Sequence, residues 1–260
     1  MTKILGFIPA YNCESQLPRV LTQIDQPWVR ENFSGFVVVE NRSTDKTLSV
    51  AVSEAKSRDN FLRVFQNVSN YGLGGSHKVA LKIAKQENYD WLLVFHGDDQ
   101  GNLGDFREVI ESGKFNNFDA VLGARFTRKS KRQGYSALRT IGNYVFNAFY
   151  SLFLGTKITD MGSGLNMYKV EKMEQASINS PDGLIHPPYL LISFVLRKFK
   201  IHFEPIGWKE TDQVSNAKLF KQSFDTFKLG FLAFILHRKF LKINYQNSDF
   251  DYKSNQIGDL

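Results

Sequence analysis

The chain has 260 residues, 42% hydrophobic and 23% charged, enough to bury a full core as one large domain or one domain with a tail. Lysine and arginine outnumber aspartate and glutamate 33 to 26, and the net charge of +7 favours an anionic partner such as nucleotide phosphate, acidic lipid or nucleic acid. The single cysteine, Cys13, excludes an intramolecular disulfide and a multi-cysteine zinc site, no run reaches the ~18 apolar residues of a spanning helix, and no signal peptide is recognisable, so the expected protein is cytoplasmic, soluble or peripheral on the inner face of the cell membrane.

Residues 4–10 read as a strand ended by proline, and Tyr11-Asn12-Cys13-Glu14-Ser15 as its loop, with Ser15 placed to cap a helix that carries Leu17, Val20, Leu21 and Ile24 on one face. Residues 35–40 form a second buried strand, followed by a polar segment and a helix to about Lys56; residues 62–68 form a third. After Asn70-Tyr71-Gly72-Leu73-Gly74-Gly75 comes a helix with Val79, Ala80, Ile83 and Ala84 on one face. The apolar run Trp91-Leu92-Leu93-Val94-Phe95 is a fourth strand that breaks into His96-Gly97-Asp98-Asp99-Gln100-Gly101, and residues 119–126 are a fifth. This alternation predicts an α/β, doubly wound, mainly parallel sheet with its site at the carboxyl ends of the strands, where the polar loops fall.

Beyond residue 126 the pattern changes. Arg125, Arg128, Lys129, Lys131, Arg132 and Arg139 crowd a stretch without acids, which passes into an apolar helix at 141–154. Asp160-Met161-Gly162-Ser163-Gly164 precedes a strand at 165–170, and a helix at 188–199 and a strand at 201–208 complete the body, residues 1–215. A last helix within 216–242 puts Phe220, Phe224, Phe227, Phe231, Phe234 and Ile235 on one stripe among lysines, a face for a membrane surface or for packing on the body. Residues 243–260 are a polar tail, expected to be loose.

Asp98 and Gln100, with His96, alternate in sequence and can converge on one side of the strand end. They would offer a hard divalent cation one or two ligands while diphosphate oxygens supply others; the plainer reading is a polar turn. Glu40 can accept hydrogen bonds from a nucleotide at its strand end, whereas Asp45 reads as a helix N-terminal acid. Arg125 leaves a strand end and can neutralise diphosphate, with residues 126–135 as a loop that closes over a bound ligand. Asp160 can serve as general base on a hydroxyl, orient a bound substrate, or cap a turn; a nucleophile that is already a phosphate anion needs no strong base. His186 and His202 lack partner spacing and read as structural or surface histidines.

Over about residues 3–220 the sequence resembles the family 2 glycosyltransferases of GT-A fold, and within them the dolichol-phosphate mannosyltransferase-like group. Pro9-Ala10-Tyr11-Asn12 is similar to the first-strand motif that holds base and ribose. Glu40 to Thr47 is similar to the Asp-Asp-Gly-Ser-x-Asp-Gly-Thr segment, Asn70 to Gly75 to the glycine-bearing loop, and His96-Gly97-Asp98 to the Asp-x-Asp metal motif. Gly123-Ala124-Arg125-Phe126 and Asp160 to Gly164 match later donor and acceptor segments, and Lys218 a diphosphate-contacting loop. The resemblance implies Asp98 and Asp160 as catalytic, and Pro9, Ala10, Tyr11, Asn12, Glu14, Glu40, Arg42, Asn70, Gly74, Gly97, Arg125 and Lys218 as the nucleotide-sugar contacts, with Mn2+ or Mg2+ on Asp98, Gln100 and His96.

Several positions depart from the pattern. Glu40 replaces Asp, Asn41 and Arg42 replace Asp and Gly, Cys13 stands where Glu often follows Asn, and His96 takes the place of the first metal-motif Asp, which implies lower metal affinity or a preference for Mn2+. The implied activity is inverting transfer of a sugar from a nucleotide-diphosphate sugar to a lipid-linked acceptor, a polyprenyl phosphate or lipid-linked saccharide, in cell-surface polysaccharide or glycolipid synthesis at a membrane surface. The alternatives are a sugar-phosphate nucleotidyltransferase and a catalytically inactive nucleotide-sugar-binding module. Nucleic acid is not an expected partner, because the basic residues carry no binding motif, and the sequence leaves the oligomeric state open.

Overall fold

The first two strands, β1 (Ile4–Ala10) and β2 (Gly35–Glu40), are apolar on both sides, so each face of their sheet acquires a core of its own. Ile4, Ile8, Phe36 and Val38 join one buried cluster; Leu5, Phe7, Val37 and Val39 join the other. The structure is a computed structural model that describes residues 2–210 and 219–258. Helices α1 (Leu17–Gln23) and α2 (Pro27–Asn32) link the two strands. Then follow α3 (Thr47–Lys56), β3 (Leu62–Asn67), α4 (Gly72–Gln86), β4 (Trp91–Phe95), α5 (Arg107–Glu111) and β5 (Ala120–Ala124). The second half comprises β6 (Arg132–Gln133), α6 (Ala137–Leu154), β7 (Leu165–Lys169), α7 (Val170–Ser177), α8 (His186–Leu196), β8 (Ile201–Pro205), β9 (Trp208–Lys209), α9 (Leu219–Leu236) and β10 (Ser254–Ile257).

The main sheet has the order β10-β3-β2-β1-β4-β7-β5-β8, and β6 pairs with β9 in a separate ribbon. β3, β2, β1 and β4 are parallel, while β7 runs antiparallel between β4 and β5. The chain steps outward from β1 to β3, and α4 carries it back across to β4 on the other side of β1. Opposite outward windings on the two sides of β1 open a crevice at the carboxyl ends of β1 and β4, the topological switch point of an open α/β sheet.

Four expectations are corrected. Ser15 does not cap α1: the helix starts after Gln16, and the N–H groups of Gln16 and Leu17 both donate to Cys13 O (3.1 and 2.9 Å), a tight turn that serves those donors itself. The strand expected over 201–208 divides at Gly207, because Ile206 N still bonds Ala124 O (3.1 Å) whereas Trp208 N turns to Lys131 O (2.8 Å). The last helix ends at Leu236 and continues as a 3-10 turn, His237–Lys242, while its expected start and Lys218 lie outside the described residues. The tail is not loose: β10 pairs antiparallel with β3, Asn255 opposite Gln66, and covers that edge of the sheet. Phe250 and Tyr252 anchor it by packing on Tyr71, with ring centroids 5.0 and 5.7 Å away. Among the described residues no helix is long and apolar enough to cross a membrane.

Candidate active site

The crevice is a cleft of about 430 Å³, lined by Pro9, Ala10, Tyr11 and Asn12 from the end of β1, by Asn70 from the loop before α4, and by His96, Gly97, Asp98 and Gln100 beyond β4. These sequence-predicted residues lie far apart in the chain and meet here because β1 and β4 are neighbours. Gln16, Asn41, Gly183 and Leu184 also line the cleft, and nothing in the sequence pattern pointed to them as contacts.

The loops after β1 and β2 are clamped together. Asn12 N donates to Ser43 Oγ (3.1 Å) and Asn12 Oδ1 accepts from Thr44 N (2.9 Å); Cys13 N donates to Thr47 Oγ1 (2.8 Å). Cys13 itself is a buried thiol, pushed up to about 12 by burial, and so stays protonated. Glu14 faces the clamp, accepting from Lys46 N at 2.7 Å. Asp45 accepts from Thr47 Oγ1 (2.6 Å) and Thr47 N (2.9 Å); burial would raise its pKa, but these bonds hold it below the usual value.

Glu40, expected to reach the nucleotide, is fully buried and turned inward: Oε1 accepts from Ser43 N (2.5 Å) and Oε2 from Gln66 Nε2 (2.9 Å). A shorter Asp in its place would not span both bonds, so the extra methylene serves the brace. Arg42 does not line the cleft either; its Nη1 donates to Gln66 Oε1 (3.2 Å), and its φ of +62° is a left-handed conformation natural to glycine. That conformation costs a non-glycine residue about 1–2 kcal/mol, against about 0.5–1 kcal/mol of extra chain entropy for glycine. Arg42→Gly is therefore expected to stabilise the fold by about 0.5–1 kcal/mol, read as a rise in urea midpoint without a change in slope. Asn41 accepts from Asn67 Nδ2 (2.8 Å) and Tyr71 N (2.9 Å) and donates to Asn70 Oδ1 (2.8 Å), which fixes Asn70 at the cleft wall.

At the far end of the cleft His96 Nδ1 stands 4.0 Å from Asp98 Oδ2. Burial, with the Arg125 cation nearby, pulls His96 down to about 4, so its imidazole is neutral at pH 7. Burial raises the Asp98 carboxyl to about 6, and the Asp99 charge adds to the rise. Asp99 does not face a ligand; at φ +57° its carboxylate lies 2.8 Å from Arg19 Nε and 3.2 Å from Lys209 Nζ, a brace for the turn. Among the described residues no three His, Cys, Asp or Glu side chains gather at one point, so a cation would take Asp98 with His96 or Gln100 from the protein and its remaining ligands from a bound diphosphate. A neutral imidazole beside a carboxylate fits that donor set.

Arg125 and Asp160 are brought together as a buried pair. Arg125 Nε and its backbone N donate to Asp160 Oδ2 (both 2.8 Å), and Nη2 donates to Asp160 Oδ1 (2.7 Å) and Gly162 O (2.8 Å). Their side chains are 12% and 1% exposed, which leaves Asp160 no oxygen free of Arg125. Neither residue lines the cleft, though the Arg125 charge is felt by both His96 and Asp98. The loop expected to close on a donor is fastened at two points, by β6 pairing with β9 and by Arg132 Nη1 donating to Arg125 O (2.5 Å). Arg139 pairs with Glu210 at 2.6 Å.

The wall at Gly183 and Leu184 is held from three sides. Asp182 accepts from Lys78 Nζ (2.6 Å), Tyr252 Oη (2.8 Å) and Asn247 N (2.8 Å), and Asp182 O accepts from Gly74 N (2.7 Å). Gly74 was expected to let a ligand approach; instead a Cβ there would come within 2.3 Å of Pro181 O, so its small size serves this wall. His186 is fully buried beneath it, 4.8 Å from the His77 ring, and burial keeps both neutral. His202 stacks on Phe118 and faces Glu204 at 3.0 Å.

A mainly parallel sheet of this order, with helices on both faces and a cleft at its switch point, has the GT-A glycosyltransferase fold. The glucosyl-3-phosphoglycerate synthase of Mycobacterium tuberculosis, solved in complex with Mn2+, UDP and glucosyl-3-phosphoglycerate, superposes with a TM-score of 0.65 over 98% of this chain and 87% of that one, at 15% identity. The chain belongs to glycosyl transferase family 2, whose family model matches residues 7–176. It is 27% identical over 65% of its length to an uncharacterized protein of Methanocaldococcus jannaschii. It is 21% identical over 70% of its length to the polyprenol monophosphomannose synthase of Mycolicibacterium smegmatis. The chain spans about two thirds of these two relatives, 65% and 67% of their lengths.

Proposed function

We propose that the protein transfers a sugar, with inversion, from a nucleotide-diphosphate sugar bound in the cleft to a phosphate-bearing, lipid-linked acceptor at a membrane surface. The observation that carries this reading is the convergence of the Pro9–Asn12 segment, Asn70 and Asp98 on one cleft at the switch point. Pro9 to Asn12 and Asn70 would hold the nucleoside, with the exposed Tyr11 ring available to the base. Asp98, with His96 or Gln100, would hold Mn2+ or Mg2+, which supplies neutralisation of charge on the leaving diphosphate. Arg125 adds fixed positive potential, and Asp160 positions it. An acceptor oxygen attacks the anomeric carbon, the bond to the diphosphate breaks, and the nucleoside diphosphate carries away the electron pair.

The state of Asp160 favours an acceptor that is itself an anion. Its oxygens are committed to Arg125, which makes it a poor general base. A phosphate acceptor brings its own anionic oxygen and needs none. The mycobacterial relative is named for polyprenol monophosphomannose, a sugar joined to a lipid through one phosphate, which supports this choice. Incubation with UDP-, GDP- or dTDP-sugars, Mn2+ and polyprenyl phosphate is expected to release nucleoside diphosphate only when acceptor is present. Pyrophosphate release from a nucleoside triphosphate plus sugar phosphate would replace this reading with a nucleotidyltransferase, and donor binding without turnover on any acceptor would replace it with a binding module.

A further inference from the structure

Helices α6 and α9 pack together, and their outer side is apolar and open to solvent. Ile141 (60% exposed), Val145 and Leu152 (72%) stand on α6, and Phe224 (69%), Phe231 and Ile235 on α9. The Phe153 ring, 5.4 Å from Phe234 and 6.3 Å from Phe231, joins the two helices into one surface. Scattered exposed apolar residues need no explanation, but a contiguous face of this kind marks an interaction site.

The charge around the face selects its occupant. The sequence of α6 contains no acid and that of α9 only Asp225, whereas Lys228 is exposed on the same stripe of α9 as the rings, and Lys157, Arg238 and Lys239 are exposed just beyond the helix ends. A second copy of the chain would bring these cations against their own kind. An anionic bilayer surface would receive the rings at the boundary of headgroup and acyl chain and the lysine and arginine heads at the phosphates above. We propose that the outer face of α6 and α9 seats the protein on an anionic lipid surface.

The seat is tied to the cleft. α6 starts two residues after Tyr135, whose hydroxyl accepts from Arg125 Nη1 (3.3 Å), and Asn147 in its middle donates to Thr159 O (2.7 Å), next to Asp160. A lipid-borne phosphate would thus be presented on the Arg125 side, a consequence that rests on the proposed transfer reaction; seating itself does not.

The test is cosedimentation of the full-length 260-residue chain, without donor or acceptor, with vesicles of phosphatidylcholine alone or mixed with phosphatidylglycerol. Binding is expected to the mixed vesicles, to weaken with salt, and to be at least about tenfold weaker on phosphatidylcholine alone. The variant Phe224→Ser/Ile235→Ser, altered at two exposed positions outside the ring contacts between the helices, should lose binding while keeping its melting temperature. Lys228→Glu should weaken binding by about twentyfold or more, since one lost and one gained charge each count for roughly fivefold. Failure to bind mixed vesicles would overturn the proposal, as would a dimer in solution that the Ser variants dissociate. A nucleotide-sugar thermal shift that survives in the Ser variants keeps the two readings apart: vesicle binding without any donor shift would sink the transferase assignment and leave the seat standing.

Discussion

Asp98→Asn is expected to lower the rate of sugar transfer about a thousandfold, and at the same time to raise the melting temperature of the ligand-free protein above pH 6. The loss follows from removing the charged ligand at the point where the leaving diphosphate gathers charge, an electrostatic contribution of the size that preorganised groups supply. The gain follows from the same burial that tunes the group. Asp98 has its carboxyl raised from 3.8 to about 6, so between those pH values the folded protein holds a proton that the unfolded chain has released. That favours the folded state at pH 4 and fades as pH rises, until above pH 6 the charge, on a side chain 36% exposed and so partly screened by water, is a small net cost. Asparagine removes the cost, so the difference in melting temperature should be absent near pH 4 and full by pH 8. The charged form is the one that binds a cation, so kcat/KM of the parent protein should fall on the acid side with an apparent pKa near 6. A variant with undiminished transfer would refute the role given to Asp98.

Asp160→Ala should be the most destabilising single change at the site. It strands the Arg125 guanidinium, 12% exposed, with its principal partner gone, and breaking one side of such a pair costs about 3–5 kcal/mol. For a chain of this size that is a fall of roughly 6–20 °C in melting temperature. Removing both charges with Arg125→Met/Asp160→Leu should recover most of the loss, because the apolar pair leaves no buried charge unpaired. Transfer should not recover with it, since the positive potential near Asp98 is gone. A double variant that regained activity along with stability would show that Arg125 acts only as a prop. An Asp160→Asn variant with kcat unchanged would show that no proton is taken by this side chain, in line with a phosphate nucleophile.

The first half of the sheet was legible in the sequence because its strands are continuous apolar runs, each closed by a polar loop. Buried parallel strands carry that signature locally, and the crevice at their ends then follows from topology. The polar break after β4 marked Asp98, and the family resemblance marked Pro9 to Asn12 and Asn70; together they line the cleft. What escaped was long-range pairing. Nothing near Glu40 says that its carboxylate turns toward Gln66 in the next strand, and nothing near Arg125 says that Asp160, 35 residues on, will claim it. The tail was misread for a related reason: an edge strand with one side in water looks polar, and only Phe250 and Tyr252 hint that it has somewhere to dock.

That outermost strand also sets a timetable for biosynthesis. The chain must be made as far as Ile257 before β3 has its outer neighbour, and as far as Tyr252 before Asp182 has all its partners. Until then a nascent molecule leaving the ribosome has an unpaired rim and one unfastened wall to its cleft, the state in which chaperones and proteases find a foothold. Premature stops or stalling a few residues short of this point would therefore yield a product fit for disposal rather than a slower enzyme.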